Sequence, residues 1–422
     1  MPPFLQNTRR RIGIAAYAVV FLSFIFAVRM ATFVLNVVRF DRWASALRRR
    51  RGAPPRILFL ASFFPGNAGF EQRVRKWCTI LNEAGFDARW RHAIEEPAFS
   101  RLLANGRVSE FHLRFAFKRF WQCLEAAVSD GVIVERELLV YNDYGGLFLE
   151  RFLLALNRRV ALDYDDDIGA AKKEPFIPSR FARLMGGTGR KFQDMLKTYP
   201  FFIAGTRYLA NLVPQADATI VVVPTCLNVL RYGCKQYTGS LDRVTFGWVG
   251  GVSNLPYLDI VLPALQAISR DRPCKLLVLS GKAYDSGETI EVENRAWNYL
   301  TETADLLDVD IGLMPVAPSR IAEGKCGYKQ LQYMASSLVG VASDVGPNRE
   351  IITDGVDGFL VRHPEDWEKV LRHALTQVAS FEAIGRAARK RIEEAYSFEG
   401  FRQTYVDFVS RLIDRETPQK AR

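Results

Sequence analysis

Paired cysteines are missing from this chain. Its six cysteines, Cys78, Cys123, Cys226, Cys234, Cys274 and Cys326, are scattered and form no CxxC pair. That excludes zinc-ligand spacing and points to free thiols in a reducing compartment. Histidine is scarce as well. His92, His112, His363 and His373 form no cluster, so no metal ion is expected and each reads as structural. Short repeats and low-complexity tracts are lacking. With 49% apolar and 12% aromatic residues the chain is a folded protein, not a disordered one. At 422 residues it is too long for one ordinary core, and two domains are expected.

Acidic residues are almost absent from residues 1–52, which hold ten arginines against Asp41 alone. Of the net charge of +11, +9 therefore lies there, leaving +2 for all the rest. This excludes a basic face for nucleic acid on the folded part; no nucleic acid is expected as a partner. Charge is in turn missing from residues 12–38, where Arg29 stands alone. The run IGIAAYAVVFLSFIFAV supplies 17 apolar or small residues before Arg29 and MATFVLNVV nine after it. About 20 apolar residues cross a bilayer as a helix. A single span with Arg29 snorkelling is the favoured reading. A helix lying in one leaflet comes second. A cleaved signal peptide comes last, because arginines follow instead of a small-x-small site. Arg39, Arg42 and residues 48–51 outweigh Arg9, Arg10 and Arg11. A spanning segment would thus place the bulk of the chain on the cytoplasmic side of the inner membrane. The RRRR run at 48–51 is also expected to meet anionic headgroups, making an anionic membrane surface a partner.

After a Gly-Ala-Pro-Pro linker at 52–55, short apolar runs at 56–61, 88–90, 131–135, 160–163 and 201–204 alternate with helical patterns. A second set begins near 219–223 and continues at 243–249, 275–279, 309–314, 338–342 and 358–361. Buried strands separated by helices predict an α/β fold with parallel sheets. The chain reads as two tandem Rossmann-like domains behind an N-terminal membrane helix. The expected divisions are a membrane anchor and basic linker at 1–52, a first domain at 53–228 and a second at 229–398. Such sheets bind ligands beyond the carboxyl ends of their strands, beside helix N-termini, and the cleft between two such halves is the natural place.

Four loops then stand out. In GWVGGVSNLPY, Gly250 and Gly251 would let backbone N–H groups approach a phosphate, with Ser253 and Asn254 available as helix caps; an ordinary strand-to-helix turn is an equal reading. In EGKCGYKQLQYMA, residues 323–335, the helix pattern starts near Gly327 and Tyr328 with Lys325 and Lys329 beside it. A diphosphate there would meet two cations and a helix dipole, which outweighs a solvated turn. In DVGPNREII, Asn348 and Glu350 open a short helix, and Glu350 either stabilises that helix or accepts sugar hydroxyls. In DYDDDIG, Asp165 and Asp166 form an acidic loop, with an acceptor contact or a general base as the sharper alternative. Lys282 and the pair Arg73 and Arg75 are further cleft candidates, with an ordinary surface residue as the other reading of each.

With these loops placed, residues 55–415 resemble the GT-B glycosyltransferases of the retaining family-4-type group. The resemblance is most specific over 308–361. It implies a nucleotide-diphosphate sugar as co-substrate, with no cofactor and no metal, held mainly by the second domain. It implies an acceptor on the first domain, where Arg73, Asp165 and Asp166 are the candidates from the loops, and transfer with retention. It implies that a terminal helix at 399–415 returns to the first domain. Phosphate contacts carry over to Gly250 and Gly251, and diphosphate contacts with stabilisation of the leaving group to Lys325 and Lys329; Lys282, Glu323, Gly327, Tyr328, Gln332, Asn348 and Glu350 complete the expected donor site. The group often has two glutamates seven residues apart around this helix; here Gln332 takes the second place and Gly324 the first, with Glu323 adjacent. An amide still bonds hydroxyls but carries no charge. The expected activity is therefore sugar transfer to a glycolipid or lipid-linked saccharide. The alternative is a non-catalytic GT-B-like membrane scaffold.

Overall fold

The computed structural model describes residues 3–48, 52–96, 98, 110–140, 146–170, 190–287 and 290–414. They form two units: Met1–Val223 with Thr404–Arg422, and Pro224–Gln403.

The first unit is built on a six-stranded sheet, β1 (Arg56–Ala61), β2 (Asp87–His92), β3 (Gly131–Glu135), β4 (Val160–Tyr164), β5 (Phe201–Ala204) and β6 (Thr219–Val222). Its spatial order is β2-β1-β3-β4-β5-β6, and the pairings are parallel. β6 corrects the expected start of the second half: Phe201 pairs with Thr219 and Ala204 with Val222, so 219–222 completes the first sheet. The helix after β1 contains a π-helical turn at Glu71–Arg75 before Lys76–Glu83. Residues 404–414 of the last helix, Phe398–Asp414, belong to this unit, where Tyr405 stacks on Trp77 and Phe408 meets Phe201.

The N-terminal helix α1 (Pro3–Val37) is followed by α2 (Phe40–Arg48). A 19-residue window of α1, Val19–Val37, is long and apolar enough to cross a membrane. One stripe of that window is buried: Phe21, Phe24, Ile25 and Val28. It packs on the helices Phe148–Leu156 and Glu110–Leu124, with Phe24 centred 4.2 Å from Phe117, 5.8 Å from Phe120 and 5.9 Å from Phe148. The arginine run at 48–51 is not wholly available to headgroups. Arg48 is buried and donates to the carbonyls of Ala127 (2.9 Å) and Leu156 (2.6 Å) and to Asn157 Oδ1 (3.2 Å). Burial, aided by Arg159, pushes its pKa down to about 10. Residues 49–51 lie outside the described residues.

The second unit carries β7 (Val244–Val249), β8 (Cys274–Ser280), β9 (Val292–Ala296), β10 (Ile311–Met314), β11 (Val339–Ser343) and β12 (Phe359–Val361). Their order is β12-β11-β10-β7-β8-β9, again with parallel pairings. Apolar layers cover both faces of this sheet, as an all-parallel sheet requires. β9, VENRA, is an edge strand that its apolar content does not announce. Its Glu293 and Arg295 bind Lys275, Asp305 and Asp308, the charged dressing typical of a strand with one open side.

Candidate functional site

In the second sheet the chain runs β7, β8, β9 to one side and β10, β11, β12 to the other. The reversal lies between β7 and β10, which pair at Ile311–Phe246 and Gly312–Gly247. Sheets of this kind bind ligands beyond the carboxyl ends of the two strands at such a reversal. The loop leaving β7 is the Gly250–Gly251 loop, and the one leaving β10 leads into the helix Tyr328–Ala335.

The two loops touch. A Cβ added at Gly250 would sit 2.5 Å from Lys329 Cε and 2.6 Å from the Trp248 ring, so only glycine fits between them. Lys329 Nζ lies 5.2 Å from the centroid of Trp248. Lys325 Nζ donates to Asn254 Oδ1 at 2.8 Å and lies 5.0 Å from the Tyr257 ring. Asn254 thus holds a lysine; no side chain caps the Val252–Ile260 segment, whose N-cap is Gly251. Behind them Tyr333 fastens the lysine-bearing helix to both strands. Its hydroxyl accepts from Val249 N (3.2 Å) and donates to Leu313 O (3.1 Å), and its ring fills the space left by Gly312. Gly327, at φ +70, begins this helix with no side-chain cap. A side chain there would be strained and would strike Ile351.

Other expected donor contacts divide into two groups. Lys282 is exposed in the turn after β8, and Gly281 beside it packs towards Val252, so that turn borders the glycine loop. Glu323 is half-exposed with Arg349 3.5 Å away, and the 344–350 loop closes on it through Gly346. Glu350 is exposed on the helix Asn348–Ile351, where its carbonyl accepts from Arg391. Tyr328 is half-buried and hydrogen-bonds Tyr232. Gln332 and Asn348, by contrast, are buried. The Gln332 amide lies 3.5 Å from the Tyr232 hydroxyl, and Asn348 Nδ2 donates to Ser343 O. Asn348 Oδ1 lies 3.6 Å from where a Cβ at Gly327 would stand, beside the start of the lysine-bearing helix.

In the first sheet the reversal lies between β1 and β3. Glu135, closing β3, is buried there and its carboxylate accepts from Ser62 N at 2.7 Å. Sequence reasoning passed over it, although a carboxylate ending an otherwise apolar strand was the available signal. Arg73, expected to face an acceptor, is buried instead. Its Nε donates to Asp163 Oδ1 at 3.0 Å and its Nη1 to Val223 O at 2.9 Å. The Asp163 carboxylate keeps this guanidinium firmly charged. Asp165 and Asp166 remain partly exposed, with Asp166 3.5 Å from Arg136. A 450 Å³ cavity lined by Arg56, Asp87, Asp130 and Arg159 opens at the other, amino-terminal ends of these strands. Among the described residues, no three His, Cys, Asp or Glu side chains are grouped to hold a metal ion.

Burial pushes Glu135 from an ordinary value of 4.5 up to about 7, against the opposing Ser62 N–H. The folded state therefore holds this proton more tightly than the unfolded chain. Its stabilising effect is complete below about pH 4.5 and is lost as pH rises through 7. The loss is on the order of 3 kcal/mol. Glu135→Gln keeps an acceptor for Ser62 and removes the titration. Urea unfolding at pH 5 and 8 should show the wild type losing roughly 2–3 kcal/mol relative to the variant. Parallel pH profiles would exclude this.

Residues 243–379 match the family model described as Glycosyl transferases group 1. No curated protein matches the sequence. Among solved structures, the sucrose-phosphate synthase of Thermosynechococcus elongatus superposes with a TM-score of 0.61 at 14% identity, covering 85% of this chain and 99% of its own. Anabaena HepE, in complex with UDP-glucose, gives 0.58 at 12% identity over 84% of this chain and 99% of its own. The lipopolysaccharide outer core galactosyltransferase WaaB gives 0.57 at 11%, with coverage of 84% and 99%. Two parallel six-stranded sheets in tandem are the GT-B architecture, and the second of them carries the segment matching the group 1 glycosyl transferases.

Proposed function

We propose that this protein is a membrane-associated glycosyltransferase. It takes a sugar from a nucleoside-diphosphate donor and passes it, with retention and without a metal ion, to a glycolipid or lipid-linked saccharide. One observation carries the reading: Lys325, Lys329 and the Gly250–Gly251 loop meet at the reversal point of the second sheet. Two cations, a helix N-terminus and glycine backbone form an anion cradle. A diphosphate leaving group gains charge as the sugar departs, and prearranged cations stabilise that change most. The HepE structure holds UDP-glucose and WaaB is a lipopolysaccharide outer core galactosyltransferase, which supports a sugar-nucleotide donor and a glycolipid acceptor. The apolar helix α1 supports catalysis at the cytoplasmic face of the inner membrane.

A panel of UDP-, GDP- and other nucleotide sugars tests this by thermal shift and sugar transfer. One donor should raise the melting temperature. Lys329→Ala should weaken that donor roughly 10- to 150-fold, the value of about 1.5–3 kcal/mol for a charge-assisted contact. Failure of every nucleotide sugar to bind would instead favour a scaffold.

A further inference from the structure

We infer that α1 does not cross the bilayer but lies along it, and that its outer face forms, with α2 and the helix Glu110–Leu124, a docking surface for one leaflet of an anionic membrane. The inference rests on the membrane association proposed above and specifies its geometry.

The window Val19–Val37 would fill the hydrocarbon core, a helix of roughly 28 Å against a core of about 30 Å. Yet its first half, Phe21 to Val28, is docked on two helices of the first unit. A spanning α1 would drag those helices into lipid with exposed Arg114, Lys118 and Arg151 on them. Arg29 is exposed near the centre of the same window. At the bilayer midplane an arginine costs about 2.5–3.5 kcal/mol or more, whereas from a helix in the interface it reaches headgroups directly.

The face opposite the docked stripe is as apolar as the stripe. Val19, Phe26, Met30, Phe33 and Val37 are 47–67% exposed. Soluble surfaces rarely present so many large apolar side chains together. Elements packed beside α1 add exposed aromatic side chains. Phe117, against Phe24, is 40% exposed, and Trp121, one turn further along its helix, is 66% exposed. On α2, Trp43 is 62% exposed. Tryptophan favours the headgroup level of a membrane. Exposed Arg39 and Arg42 lie at the junction of α1 and α2, where only Asp41 opposes them in the first 52 residues. Apolar face, interfacial tryptophans and local cationic excess together describe a monotopic surface for anionic lipid.

The full chain, tagged at both ends, is to be expressed and inverted membrane vesicles treated with protease. Both tags should be cleaved from the same side. Protection of the N-terminal tag alone would show a span and overturn the in-plane geometry while leaving the transferase reading intact. Recovery in the soluble fraction would remove the membrane from both readings. With phosphatidylglycerol–phosphatidylcholine vesicles containing brominated acyl chains, Trp43 and Trp121 should be quenched, and W43F/W121F should lose that quenching. The exposed double variant F26D/F33D should bind such vesicles at least tenfold more weakly while melting at the wild-type temperature. Undiminished binding, or a lipid-free dimer that F26D/F33D dissociates, would assign this face to another occupant.

Discussion

Removing residues 404–422 is expected to leave the first unit unable to fold. Tyr405, Phe408, Val409 and Leu412 are fully buried in it. Tyr405 stacks on the equally buried Trp77 with ring centroids 3.9 Å apart and planes 7° apart. Phe408 meets Phe201 of β5 edge-on. At Gly131, the first residue of β3, a Cβ would already lie 3.1 Å from Ile413 and 3.3 Å from Leu412. Burying four such side chains contributes about 6–12 kcal/mol at roughly 1.5–3 kcal/mol each. Whole domains are stable by only about 5–15 kcal/mol. A chain ending at Gln403 should therefore aggregate, or be digested by protease within residues 56–223. Tyr405→Ala alone should cost roughly 3–5 kcal/mol in urea unfolding. A truncated chain that melts like the full one would show that this segment is an ornament rather than part of the core.

How much of this was readable beforehand follows from which interactions are local. Strands such as 131–135 and 201–204 are short apolar runs ended by Gly, Pro or charge, and the structure places them at those residues. β6 could not be assigned to its sheet, because TIVV looks alike in either half and only its register with Phe201 decides. β9 was missed because an edge strand needs little apolar content. In the second unit, glycine and lysine after consecutive strands marked both loops, and sheet order then brought Gly250 against Lys329. Gln332 and Asn348 lie in the same stretches, but helix phase turns them inward. The apolarity of α1 was plain, yet phenylalanine suits lipid and protein equally, so its docked stripe was not. Arginine is rarely buried without a partner, and that of Arg73 is 90 residues away, so its burial is not visible in the local sequence.

That partnership carries the second large effect. Arg73 lies in the π-helical turn Glu71–Arg75 and joins Val74 and Trp77 in the core. Its guanidinium ties Asp163 at the end of β4 to the Val223 carbonyl just beyond β6. Removing one partner strands the other as a buried charge, and among the described residues Asp163 Oδ2 has no hydrogen-bond partner. Arg73→Met and Asp163→Leu should each cost about 3–5 kcal/mol. Arg73→Lys should recover little of this, since one ammonium cannot reproduce a fork that meets a carboxylate and a carbonyl together. R73M/D163L should lose far less than the two singles combined, because it removes both charges along with the cost of burying them. A double-mutant cycle in urea should therefore return a coupling of at least about 2 kcal/mol. Additive losses would mean that the two residues act separately. The same pair holds the start of the Asp163–Asp167 segment, so single variants should also lose the proposed sugar transfer at temperatures where they remain folded. R73M/D163L, with the backbone of β4 and β6 repacked rather than left around a lone charge, should keep more of it than either single.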